Sequence, residues 1–239
     1  MNNSLRDEYL EAMGIQQWVA RDSVDADQSD AAGLVPASVD SGDGLPGWQE
    51  LEARVAACTK CALHESRTQT VFGVGSKSAD WLIIGEAPGA DEDQQGEPFV
   101  GRAGQLLNEM LFAAGFQRSE VYIANILKCR PPANRDPSAD EVACCQGYLD
   151  QQIGLLNPKL ILAVGGVAAH NLLQTDTPVG RLRGVVHTYG ERKTPVIVTY
   201  HPAYLLRSPR EKRKVWCDLQ FAQGIHKQQQ AGKVPDVTI

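Results

Sequence analysis

The chain has 239 residues, 43% of them hydrophobic, and a formal net charge of −6. That supports one sizeable domain with appendages and excludes a wholly disordered or fibrous polymer. No apolar run approaches the roughly 18–20 residues of a membrane span, Met1–Leu10 is too polar for a secretory leader, and six cysteines without a leader point to metal binding or catalysis in a reducing, cytoplasmic setting.

Residues 1–21 form a short amphipathic segment with Leu10, Met13, Ile15 and Trp18 as its apolar bulk. Residues 22–47 carry six Asp and no Lys or Arg among Ser, Ala, Gly and Pro. That composition predicts an acidic disordered linker. The folded domain is expected over 48–226, with a flexible tail at 227–239. A helix is predicted from Trp48 to Cys58, followed by four strand–helix alternations. The strands are Trp81–Ile84, Val121–Leu127, Leu160–Val164 and Val196–Thr199. The helices are about Ala103–Ala114, Ser138–Leu155, Val167–Gln174 and Ser208–Gln223. Ser138 and Glu141 have capping-box spacing. Such alternation predicts an α/β domain of three layers (α/β/α) around a central four-stranded parallel sheet.

The chain is organised around the first of these strands. Trp81–Ile84 is a short apolar run that Gly85, Pro88 and Gly89 break at once. Its loop then lies at the carboxyl edge of the sheet, where open α/β sheets bind ligands. Glu86 sits on that turn. Phe99 follows on a loop fixed by Pro98 and flanked by Gly96 and Gly101. A carboxylate and an aromatic face therefore surround one pocket.

Cys58 and Cys61 form a C-x-x-C pair, Cys129 follows the second strand, and Cys144 and Cys145 lie in the next helix. Two close and two distant thiols can make a four-thiolate site, which selects zinc or iron–sulfur. Adjacent helical residues diverge by about 100°, so one of Cys144 and Cys145 faces that site. Cys217, in the last helix, is read as a buried small hydrophobe.

The last strand runs into His201-Pro-Ala-Tyr-Leu-Leu-Arg207, on the same edge as Glu86. Between residues 180 and 214 nine Lys and Arg face only Glu191 and Glu211. The acidic total thus conceals a basic face suited to phosphate contact.

Together these motifs resemble the family 4 uracil-DNA glycosylases, the iron–sulfur branch of that superfamily, over about Leu51–Gln223. The resemblance is carried by Gly85-Glu-Ala-Pro-Gly89, Gly96 to Leu107, Asn125-Ile-Leu-Lys-Cys-Arg-Pro-Pro132, the His201–Arg207 run and the cysteines. It implies a [4Fe–4S] cluster on Cys58, Cys61, Cys129 and Cys145, the last chosen over Cys144 by the register of Cys145–Leu149. It implies a monomeric repair enzyme acting on uracil-containing DNA. Phe99 would stack on the flipped-out base and Asn125 would read its O4/N3 edge. Gly85, Glu86 and Ala87 would contact it from the turn, and His201 would donate to O2. Leu205 would wedge into the vacated gap, with Arg102 and Arg207 on the DNA. Family 1 relatives carry an Asp at the position of Ala87 and a Tyr at that of Gly89. Glu86 is one substitute for aligning water, the alternative being that it only holds the turn while DNA phosphates carry part of the electrostatics; Glu92 is the substitute for excluding a thymine methyl. A non-catalytic iron–sulfur nucleic-acid-binding module would explain the cysteines and the basic face. It would leave Glu86, Phe99, Asn125 and His201 on one edge unexplained.

Asp7–Trp18 is similar to the N-terminal peptide of the psi subunit of the bacterial DNA polymerase III clamp loader. That likeness implies recruitment to a clamp loader by an apolar peptide on a long tether.

Overall fold

The computed structural model describes residues 47–231. The amphipathic segment, nearly all of the acidic linker and the last eight residues lie outside them, and so does the clamp-loader-like peptide at 7–18. The sheet has six strands: β1 (Val74–Gly75), β2 (Trp81–Gly85), β3 (Tyr122–Asn125), β4 (Leu160–Val164), β5 (His187–Tyr189) and β6 (Thr194–Thr199). Their spatial order is β1-β3-β2-β4-β6-β5. The four central strands are parallel and are the four expected from sequence. Two antiparallel edge strands that were not expected extend this four-stranded parallel centre, β1 on β3 and β5 on β6. These edges are two and three residues long and half-solvated. They lack the continuous apolar run that marks a strand covered on both faces.

Alternate residues of each central strand serve opposite layers, as a two-residue period dictates. Leu82, Ile84, Ile161 and Val198 pack toward helices α1 (Trp48–Ala56) and α5 (Ala139–Leu156), whose Leu51, Val55, Leu149 and Ile153 join the same cluster. Ile83, Ile123, Leu162 and Ile197 pack toward Leu107, Leu111, Leu219 and Ala222. Those four lie on α4 (Arg102–Ala113) and α9 (Lys212–Gln230). The remaining helices are α2 (Leu63–Ser66), α3 (Ala90–Gln95), α6 (Gly166–Leu173), α7 (Val179–Leu182) and α8 (Pro202–Arg207). Helix α5 begins as its spacing predicts: the Ser138 hydroxyl accepts from Glu141 N–H at 3.3 Å, and the Glu141 carboxylate accepts from Ser138 N–H at 2.9 Å.

Helix α9 starts at Lys212 and continues to Gln230, beyond the expected domain end at residue 226. Its buried stripe is Val215, Asp218, Leu219, Ala222, Ile225 and His226. Cys217 falls off that stripe and is exposed, which corrects its reading as a buried hydrophobe. No described helix is long and apolar enough to cross a membrane.

Candidate active site

Strand β3 ends at Asn125, two residues before the expected end. Beyond it, Ile126 and Leu127 donate their N–H groups to the carbonyls of Gly85 and Glu86, each at 3.0 Å, which holds the segment after β3 against the turn after β2. Gly85 pairs with Asn125 across the parallel ladder, so the two strand ends lie side by side. Phe99 reaches over the same spot. A Cβ on Gly85 would stand 2.5 Å from both Asn125 Oδ1 and Phe99 Cζ, so only glycine admits this convergence. From the end of β6 comes His201, whose ring centroid lies 5.6 Å from that of Phe99 at an interplanar angle of 30°. The structure therefore brings Gly85, Phe99, Asn125 and His201 together at one carboxyl edge.

The electrostatics of this edge are specific. Asn125 is 2% exposed, and its Oδ1 has no hydrogen-bond partner among the described residues. A buried carbonyl acceptor without a donor is costly, and a ligand N–H would relieve it. His201 caps α8, and its Nδ1 accepts from Ala203 N–H at 3.2 Å. Burial, and then the charge of Arg207, push the imidazole down to about 4, with Glu92 opposing. The ring is thus neutral at ordinary pH with its proton on Nε2, a donor free to face a ligand. Glu86 is half-buried on the turn; burial, then Asp136, raise its carboxyl above the usual range. Ala87 is half-buried beside it.

Glu92 has its carboxylate filled by three backbone donors: Gly89 N at 3.0 Å, Val100 N at 3.0 Å and Gly101 N at 3.1 Å. It thereby ties the start of α3 to the start of α4. A Cβ on Gly89 would stand 2.6 Å from Glu92 Oε2, so Glu92 fills the space a larger residue 89 would take.

Phe99 sits at φ 55°, in the left-handed region that disfavours a bulky side chain. Its loop crosses the first turn of α4 so closely that a Cβ on Gly104 would be 1.8 Å from Phe99 O. The loop is held by Arg118, which donates to Phe99 O at 3.3 Å, to Asn108 Oδ1 at 3.1 Å and to Pro98 O. Sequence reasoning missed Arg118, because it lies in a short 3₁₀ turn before β3 with no motif around it. Arg118→Ala is expected to cost about 1.5–3 kcal/mol of stability and to raise KM through a loosened Phe99. Denaturant unfolding and steady-state kinetics check this; unchanged kinetics would separate Arg118 from the loop.

Arg102 and Arg207 are exposed, at the first residue of α4 and the last of α8. Leu205 is corrected. The run after His201 is a helix, with Pro202 at its first position, and Leu205 points inward at 1% exposure within the core cluster of Met110 and Leu219. A side chain already in the core cannot enter a duplex. Leu206, at 38% exposure, is the apolar residue of that helix that faces out beside Tyr204.

Beneath the edge, Cys58, Cys61, Cys129, Cys144 and Cys145 line one cavity with Arg67, Lys128 and Tyr148. Cys129 Sγ accepts from Arg67 at 3.1 Å, and Cys145 Sγ from Lys128 N–H at 3.3 Å. Cys144 is half-buried, and its Sγ is turned to Lys60 O at 3.4 Å. As free thiols, Cys129 and Cys145 are raised by burial, Cys145 to about 11. Among the described residues no three His, Cys, Asp or Glu side chains converge on a single-ion position. Lys128 is fully buried, and its Nζ donates to Asn125 O at 2.8 Å and Gln152 Oε1 at 2.6 Å. It therefore joins the cysteine cavity to the strand end that carries Asn125, a link the sequence did not signal.

An aromatic ring, a carboxamide oxygen without a partner and a neutral imidazole thus meet at the carboxyl edge of a doubly covered α/β sheet, the edge where such sheets bind ligands. The family model that matches is the uracil DNA glycosylase superfamily, over residues 72–220. The chain is 42% identical to the type-4 uracil-DNA glycosylase of Archaeoglobus fulgidus, covering 74% of this chain and 92% of that protein. It is 42% identical to the type-4 enzyme of Thermotoga maritima (74% and 93%) and 41% identical to that of Pyrobaculum aerophilum (72% and 90%). The chain belongs to the uracil-DNA glycosylase superfamily, in its type-4 branch.

Proposed function

We propose that this chain is a repair glycosylase that takes uracil out of the DNA stack and hydrolyses its N-glycosidic bond, leaving free uracil and an abasic site. The observation that carries this is the buried, unpaired Asn125 carboxamide beside Phe99 and the neutral His201. A base in a duplex is out of reach, so chemistry on it requires extrusion into a pocket. Phe99 offers its face to the uracil ring. Asn125 Oδ1 accepts from N3–H, and its amide donates to O4. Cytosine presents the reverse pattern and would leave buried polar groups unpaired, the strong form of discrimination. Glu92 fills the space beside Gly89 and in this reading opposes a thymine methyl.

Bond cleavage puts negative charge on the departing base. His201 Nε2–H donates to O2 as that charge develops. Because the ring is neutral and its tautomer is fixed by Ala203 N–H, no proton need be rearranged first. Water supplies hydroxide to C1′, and its proton balances the uracil anion. Glu86, on the turn, accepts a hydrogen bond from that water when ionised.

The thiols of Cys58, Cys61, Cys129 and Cys145 fit a [4Fe–4S] cluster. They line one cavity, and two of the sulfurs accept hydrogen bonds, as cluster thiolates do. When bound, it would supply cross-links among the end of α1, the segment after β3 and α5. Hydrolysis needs no electron, so its role is structural. Metal analysis is expected to give about four iron per chain with a brown absorption that reductant bleaches. Zinc instead would contradict the cluster and leave the glycosylase reading standing.

A further inference from the structure

Either side of His201 lie two tyrosines that the uracil pocket does not use. The rings of Tyr200 and Tyr204 stand 5.1 Å apart at 47°. On Tyr200 rests the guanidinium of Arg183, 4.7 Å from the ring centroid. Arg183 is itself locked: it donates to both oxygens of Asp218, at 2.7 and 2.8 Å, and to Lys214 O at 2.7 Å. Asp218 is 3% exposed and also accepts from Thr199 Oγ1 at 2.6 Å. A ladder thus runs from the buried end of β6 through Asp218, Arg183 and Tyr200 to Tyr204, which is 37% exposed. Tyr204 N–H donates to His201 O at 2.9 Å, so the outermost ring and the His201 donor ride on one helical turn.

We propose that Tyr204 is a stacking platform for an unpaired DNA base, the neighbour of an extruded uracil included, so that this face favours single-stranded over paired DNA. The inference rests on the glycosylase reading. Extruding a nucleotide strips its neighbour of a stacking partner, and an aromatic ring restores that contact for any base. The ladder fixes the ring beforehand, so little side-chain freedom is lost on binding. The exposed cations Arg207, Arg210 and Lys212, which follow it in the chain, match the charge of the strand that carries the base. A paired base has both faces covered and gains nothing from Tyr204.

The test uses the full chain, with Tyr204→Ala and Tyr204→Phe, and follows fluorescence anisotropy over a salt series. Its probes are a uracil-free single strand, its duplex and a single strand made of abasic units. Tyr204→Ala should weaken single-strand binding roughly ten-fold and leave the salt slope unchanged, since no phosphate contact is lost. It should leave duplex and abasic-strand binding as in the parent, and Tyr204→Phe should bind like the parent throughout. Parent-like single-strand binding by Tyr204→Ala would overturn the platform. So would an equal loss on the abasic strand, which offers no base to stack. Uracil release is assayed in parallel: its absence from the parent protein would refute the glycosylase reading, while the binding result on uracil-free DNA still decides the platform.

Discussion

Asn125→Asp or Asn125→Ala is expected to lower uracil excision by orders of magnitude while the chain stays folded. The side chain stands at the end of β3, and its Oδ1 is buried without a partner. An aspartate there cannot donate to O4 when ionised and brings a charge against the ring's own oxygen; an alanine offers nothing to either atom. Sites that hydrogen-bond a substrate group discriminate by about 10⁴–10⁵ against its absence, and losing the site's own partner should act on that scale. The fold should survive, because the Lys128 bond goes to the backbone oxygen of Asn125 and not to its amide. Single-turnover rates on a uracil oligonucleotide, with thermal unfolding as the control, check this. Near-parental rates would remove Asn125 from the pocket.

The second large effect belongs to His201. Removing one donor aimed at developing charge costs about 10²–10³ in rate, and His201→Ala should fall in that range. Stability changes with a definite sign as well. The folded imidazole is held at about 4, below its ordinary 6.5. The unfolded chain therefore takes up the proton first as pH falls. Stability from this group declines from about pH 6.5 down to about pH 4 and is unaffected above that window. His201→Gln, which cannot titrate, should flatten this part of the stability profile; an unchanged slope would show that the imidazole is not kept neutral by burial.

The legible parts of the chain were those where a local pattern and a global role coincide. Trp81–Ile84, Leu160–Val164 and Val196–Thr199 are continuous apolar runs because helices cover both faces, and each is a central strand. The Gly85 turn, Phe99 and His201 could be placed on one edge because strand ends in a parallel sheet share an edge. What escaped was set by partners distant in sequence. Leu205 looks like an exposed wedge until α8 forms and turns it toward Met110 and Leu219. Its neighbour Leu206 has the same chemistry and faces out. Arg118 and Lys128 stand in no local pattern that points to their partners. Their roles appear only when the Phe99 loop and the Asn125 strand end come within reach of their nitrogens. Cys217 depended on the phase of α9, and one residue of rotation separates it from the buried Asp218.

The central claim is that one slot formed by Phe99, Asn125 and His201 takes a uracil out of DNA and cuts it from its sugar. Incubating the full chain with an oligonucleotide carrying a single uracil, then treating with alkali, tests this most directly. The account predicts strand cleavage at the uracil alone, release of free uracil, and loss of both in Asn125→Ala and His201→Ala. An intact strand, or equal cleavage by the parent and both variants, would contradict it.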